Sequence, residues 1–209
     1  MNTKLLLNAF EQPVDESQQV FRDLLKAMSE PGYIASVHEM LLNDCSLFSS
    51  TWRIALTLLD HDTLVYLSPN LRADNVAKSI AFQTGARLTE HASEADFALI
   101  TVDEMGLIES FRKGSIERPH ESCTVLIQVP TLDSEHPFEL SGPGIQNTKQ
   151  MAFPKLSELD LQHLADNYQL YPCGLDFVFC TPSQFFALPR TTRLCKTSPS
   201  KLQGASTCM

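Results

Sequence analysis

Residues 172–193 read P-C-G-L-D-F-V-F-C-T-P-S-Q-F-F-A-L-P-R-T-T-R. In an extended chain Leu175, Phe177 and Phe179 point to one face, and Val178 and Cys180 to the other, with Asp176 the only charge. A strand apolar on both faces belongs in the interior of a covered sheet. Thr181-Pro182-Ser183-Gln184 has turn chemistry. Phe185-Phe186-Ala187-Leu188 then returns as a second strand, which Pro189 ends because it cannot donate a ladder hydrogen bond. The stretch therefore predicts a hairpin with Cys180 across from Phe185. It delivers Arg190, Thr191, Thr192 and Arg193 to one end of a sheet and buries one carboxylate on the way.

Upstream, helical and strand patterns alternate. Asp15 or Ser17 can cap a helix with Val20 or Phe21, Leu24, Leu25 and Met28 inward, stopped by Pro31-Gly32. Residues 33–37 suit a short strand. Ser46 can cap a second helix bearing Trp52, Ala55, Leu56 and Leu59. A strand over 64–67 and a helix over 73–84 follow, the helix closed by Gly85. Strands are predicted at 96–102, 123–129 and 138–140, a short helix at 103–113, and a final helix capped by Ser157. This order implies an α/β fold, a three-layer domain with a mixed β-sheet. One domain spans 1–195, with 1–12 as an arm, and 196–209 is expected to be a disordered tail.

The chain has 209 residues, 43% hydrophobic and 20% charged, enough for one well-buried core. A net charge of −9 argues against nucleic acid or an anionic membrane surface as a large-area partner. No apolar run approaches the roughly 20 residues that cross a bilayer. The first ten residues hold no secretory core, so the six cysteines are expected to be reduced thiols in a cytoplasm.

Candidate site residues fall into few groups. Asp176 in a doubly buried strand must be paired, and Arg190 and Arg193 are the nearest cations. Simple alternation puts Asp176 across from Pro189 and Arg190 on the opposite face, unless Pro189 breaks the alternation. The pair is thus permitted but not required, and a ligand-holding role for the arginines and for Thr191 and Thr192 stays open. Gly142 and Gly144, in S-G-P-G after a strand, form a plain turn or a close backbone approach to a ligand or neighbouring subunit. Cys173, Cys180 and His163 lack the spacing of a metal site, so none is expected. His61 between Asp60 and Asp62 reads as a solvated turn or a tuned base.

Four stretches carry a family resemblance: F-R-D-L-L-K-A-M-S-E-P-G at 21–32, L-L-D-H-D-T-L-V-Y-L-S at 58–68, L-S-G-P-G-I at 140–145, and G-L-D-F-V-F-C at 174–180 with A-L-P-R-T-T at 187–192. From about residue 10 to 195 the chain resembles the PhnH family, the H subunits of the bacterial carbon–phosphorus lyase system. The resemblance implies a fold similar to the large domain of pyridoxal-phosphate-dependent transferases, but without the cofactor. It also implies an accessory subunit working beside the G, I and J subunits, in a complex that transfers ribose triphosphate from ATP to an alkylphosphonate. Alone, such a chain is expected to be a homodimer. The rival reading is a free-standing enzyme or binding protein for a small phosphorylated metabolite, using Asp176, His61 and the arginines.

Overall fold

The hairpin forms in the predicted register. Asp176–Cys180 and Gln184–Leu188 pair antiparallel, with Cys180 opposite Phe185 and Phe177 opposite Leu188. In this computed structural model, which describes residues 6–42, 45–132 and 138–196, the first of these strands lies inside a seven-stranded sheet.

In chain order the helices are α1 (Pro13–Ser29), α2 (Ser49–Leu58), α3 (Asp74–Thr84) and α4 (Glu158–Asn167). The strands are β1 (Ile34–Ser36), β2 (Leu64–Leu67), β3 (Arg87–Thr89), β4 (Phe97–Thr101), β5 (Thr124–Gln128), β6 (Phe138–Ser141), β7 (Lys149–Met151), β8 (Asp176–Cys180), β9 (Gln184–Leu188) and β10 (Arg193–Lys196). The large sheet runs β1-β9-β8-β5-β4-β2-β3. Its centre is parallel, and the β8–β9 and β9–β1 pairs are antiparallel, so the sheet is mixed. A small sheet, β10-β6-β7, is antiparallel throughout.

The alternation read from 175–180 divides the core. Val178 and Cys180 join the cluster under α1, α2 and α3, with Trp52, Ile54 and Val76. Leu175, Phe177 and Phe179 join the other, roofed by the 3₁₀ segment Val102–Ser110, α4 and the small sheet. Two layers thus cover the sheet, one on each face. On the second face Phe179 stacks on its cross-strand partner Phe186 at 5.0 Å between ring centroids, and Phe153 meets both rings edge-on.

Several local expectations are corrected. α1 starts at Pro13, whose missing N–H costs nothing in a first turn, so neither Asp15 nor Ser17 is the cap. Its inward stripe is Val20, Leu24 and Ala27, while Phe21 and Leu25 face outward. α2 begins at Ser49, not after a Ser46 cap; the Phe48 N–H is met instead by the Gln128 side chain at 2.7 Å. The helix expected at 103–113 is the tighter 3₁₀ segment Val102–Ser110, begun by a Thr101–Glu104 capping box. The part of the arm within the described residues is docked. Leu7 is buried and donates its N–H to Ser79 Oγ, and the carbonyl of Asn8 accepts from Trp52 Nε1 at 2.7 Å. The short strands β3, β7 and β10 carry no clear alternation and were not anticipated. The tail beyond 196 lies outside the described residues.

Candidate functional site

Pro189 settles where Arg190 goes. After β9 the chain turns, the Thr192 N–H donating to the Pro189 carbonyl at 2.9 Å, so strand alternation ends there. Arg190 folds back to the first residue of β8. Its backbone N–H meets Asp176 Oδ1 at 2.9 Å, and its Nε lies 3.2 and 3.1 Å from the two carboxylate oxygens. Nη2 donates to Asp176 Oδ2 and to Ser122 Oγ, and Nη1 to the Pro119 carbonyl at 2.7 Å. Both side chains are only 16% exposed. Every guanidinium nitrogen is therefore engaged within the chain, and the group ties β8, the β9 exit and the 3₁₀ turn Pro119–Glu121 together.

The other candidates part company with it. Arg193 leads β10 opposite Ser141, and its guanidinium sits 5.4 Å from the centre of the Tyr168 ring. Thr192 is buried, its Oγ1 without a hydrogen-bond partner among the described residues. The Thr191 carbonyl faces Gly142, where an added Cβ would come within 2.6 Å of it. Gly144, at φ +81°, leaves no room for a Cβ against the Ser29 carbonyl. The S-G-P-G turn is thus a close backbone approach, and within this structure it is made to the chain's own residues: the S-E-P-G turn after α1 and the strip before β10.

Cys180 is wholly buried, which pushes its thiol up to about 12. Burial likewise raises the Cys123 thiol. His61 is 80% exposed, with Nε2 3.4 Å from Asp62, as in a solvated turn. Among the described residues no three His, Cys, Asp or Glu side chains gather as metal ligands would.

Two further features escaped sequence reasoning. At the amino ends of the parallel strands, beside the Asp176–Arg190 pair, Asp96 holds Arg112 at 2.6 Å and accepts the Leu64 N–H at 2.9 Å. At the carboxyl ends, where open α/β sheets usually bind ligands, Gln128 and Glu104 bind the protein itself, while the buried Ser68 hydroxyl just past β2 has no hydrogen-bond partner among the described residues. Gln128 bridges the Phe48 N–H and the Ser46 carbonyl. The Glu104 carboxylate takes the N–H groups of Asn70 and Thr101 at 3.0 and 3.2 Å. A T-x-x-E after an apolar strand could have announced Glu104.

A cleft of about 250 Å³ opens between the 3₁₀ segment Val102–Ser110, α4 and the start of β8. Ile108, Leu175 and Phe177 line it with apolar surface, and Glu109, His163 and Asp166 with polar groups. Lys113 Nζ lies 2.9 Å from Glu109, and this bond, with the charges of Lys113 and His163, holds the Glu109 carboxyl below its usual range against the opposing effect of burial.

Fold and site together define an α/β domain of mixed sheet in which a part-buried ion pair joins β8, the exit of β9 and the turn before β5. The chain belongs to the PhnH family of bacterial phosphonate metabolism proteins, whose model matches residues 8–195. It is 35% identical over 196 residues to the alpha-D-ribose 1-methylphosphonate 5-triphosphate synthase subunit PhnH of Rhizobium meliloti (strain 1021), covering 92% of this chain and 96% of that protein. It is 25% identical over 180 residues to a putative C-P lyase subunit protein, HtxG, of Stutzerimonas stutzeri, covering 85% of each.

Proposed function

We propose that this chain is the accessory H-type subunit of a carbon–phosphorus lyase core complex, required for transfer of ribose triphosphate from ATP to an alkylphosphonate. The observation that carries this reading is the likeness to a named synthase subunit across 96% of that protein's length. The geometry favours it over a free-standing enzyme for a phosphorylated metabolite, because Arg190 is consumed by Asp176, Pro119 and Ser122 and presents no open anion fork. In this reading the partners are the G, I and J subunits, and the chemistry belongs to the assembly.

The same reading takes the fold as related to the large domain of pyridoxal-phosphate-dependent transferases, with no cofactor bound by this subunit. A parallel-centred mixed sheet between two covering layers supports that relationship. A cytoplasmic location fits the free thiols of Cys123, Cys173, Cys180 and Cys195. Among the described residues no helix is long and apolar enough to cross a membrane. Alone, the chain forms a closed two-fold dimer, the commonest self-association; light scattering then returns twice the 23.3 kDa chain mass, and a constant monomer mass at tens of micromolar rejects it.

The test of function is growth. A clean deletion stops growth on methylphosphonate as sole phosphorus source and leaves growth on phosphate intact. Normal growth on methylphosphonate defeats the assignment.

A further inference from the structure

The outer side of α1 carries apolar surface that the described chain leaves open. The helical repeat sets Val14, Gln18, Phe21 and Leu25 in one narrow stripe. Its apolar members, Val14, Phe21 and Leu25, are 78%, 44% and 53% exposed, and Gln18 is exposed between them. The stripe lies opposite Glu16, which marks the α2 side of the helix by binding Arg53 at 2.7 Å. A second body can therefore approach it without meeting α2. Single apolar residues on a surface mean little, but a contiguous group marks a site of interaction.

The steps of four, three and four between these positions are those of a coiled-coil seam. Asp15 and Arg22, both exposed, follow the seam along one flank, two turns apart. Neither has an ion pair among the described residues. The other charges of the helix are engaged or turned away. Glu16 holds Arg53, and Asp23, on the side opposite the stripe, accepts from Gln19 Nε2 at 3.0 Å. Lys26 lies over the Tyr33 ring, farther round from the seam. Glu11, just before the helix, adds to the acidic end of the flank and Lys26 to the basic end. The opposite flank holds Ser17 and the buried Leu24 and has no charge.

We propose that this face of α1 is the contact through which two copies of the chain pair, their α1 helices antiparallel about a two-fold axis. In such a pair each flank meets itself end for end. Asp15 then faces Arg22 of the partner subunit, and Arg22 faces the partner's Asp15. Val14 packs on the partner's Leu25, and Phe21 beside the partner's Gln18. The apolar and the charged registers agree to within about two residues, roughly 3 Å along the axis, which long side chains span. A parallel pair would bring Asp15 and Arg22 to the uncharged flank and gain no ion pair. The pattern therefore complements itself when reversed, as an isologous contact requires. The inference deepens the two-fold dimer reading given above and rests on it.

The test is a charge exchange on the full chain, read by sedimentation velocity across a concentration series at low salt. Asp15→Arg sets two arginines against each other at both ends of the contact, and Arg22→Asp sets two aspartates. Each variant alone is expected to dimerise about tenfold more weakly than wild type. An equimolar mixture of the two restores both ion pairs and is expected to recover the wild-type affinity, as is the double variant. The differences should shrink in 0.5 M salt, where the screening length falls to about 4 Å. Leu25→Ser removes the partner of Val14 and should also weaken the dimer about tenfold. Helix content by circular dichroism checks that each variant is folded, and if the serine variant is not, the exposed charge variants carry the test. Single charge variants that pair as tightly as wild type, or a mixture no tighter than its components, overturn this face while the dimer reading stands. A wild-type chain that stays monomeric at tens of micromolar overturns both.

Discussion

Arg190 engages Asp176 twice over, through its main-chain N–H at 2.9 Å and through a guanidinium whose Nε lies 3.1–3.2 Å from both carboxylate oxygens. One carboxylate thus fixes both the path of the backbone leaving β9 and the direction of the side chain that leaves with it. The same guanidinium reaches across to Pro119 and Ser122, which precede β5. The pair therefore sets the amino ends of β5 and β8 in place. Ligands of parallel sheets bind at the opposite, carboxyl ends, which is a second reason, beside the saturation of Arg190, to assign this pair to architecture.

Asp176→Asn should destabilise the fold by about 3 kcal/mol, the lower part of the range for stripping one member from a buried pair, because both groups keep some contact with solvent. Arg190→Gln should cost a similar amount, since the Pro119 carbonyl and Ser122 hydroxyl lose their donor as well. The double variant should recover about 1–3 kcal/mol of the summed losses, the size of coupling seen between groups in one network. Urea melts of the three variants supply the cycle, and strictly additive losses would sink the pair.

The S-G-P-G turn yields a prediction with its own control. Gly144 combines a left-handed φ of +81° with a site where a Cβ would overlap the Ser29 carbonyl. Gly144→Ala should therefore cost more than about 1 kcal/mol, the backbone strain alone accounting for that much. Gly106 has an ordinary φ and open space around its Cα. Gly106→Ala should be neutral or stabilise by about 0.4–1 kcal/mol through the unfolded chain. Equal melting temperatures for the two variants would remove the argument for a packed turn.

How far the sequence could lead is clear from these residues. The two-faced pattern of 175–180 and the turn chemistry after it were enough to place a buried strand and its partner in register, because side-chain period and loop length are local. Asp176 could be read as needing a cation. Its partner stayed open because the answer depended on how Pro189 bends the chain, and alternation cannot count through a bend. Arg112 with Asp96, and Glu109 with His163, are joined only by folding; no spacing in the chain marks 109 and 163 as neighbours. Strands of three residues, as in β3 and β7, are too short to show a period, and β10 was hidden in a polar run.

Purified protein should show no visible or near-ultraviolet band that borohydride bleaches. A Schiff-base lysine requires a desolvated pocket that lowers its pKa. Lys26, Lys78, Lys149 and Lys155 are exposed, and Lys113, half-buried, holds Glu109. Lys26 is further occupied over the Tyr33 ring, 4.2 Å from its centre. A stable band near the pyridoxal aldimine region, lost on reduction, would overturn the cofactor-free reading and leave the family assignment intact.

Acid should unmake the Glu104 clamp in a defined direction. Burial works against the Glu104 carboxylate, yet the polar Ser68 hydroxyl nearby and hydrogen bonds from Asn70 and Thr101 together outweigh it and hold the carboxyl below its usual value of 4.5. A folded-state pKa below the unfolded one means that the unfolded chain binds the proton more readily. The stabilisation is therefore complete above the unfolded value and is lost as pH falls through the folded one. Glu104→Gln keeps one acceptor and the size of the side chain but removes the charge, so it should be less stable than wild type at pH 7. The gap between the two should close as urea melts are repeated at successively lower pH beneath the ordinary carboxylate range. Because Glu104 joins the loop after β2 to the end of β4, the loss should also appear as faster amide exchange at Asn70 and Thr101, whose N–H groups it accepts at 3.0 and 3.2 Å. A stability gap that stays constant with pH, with unaltered exchange at those two amides, would show that the carboxylate holds neither strand end.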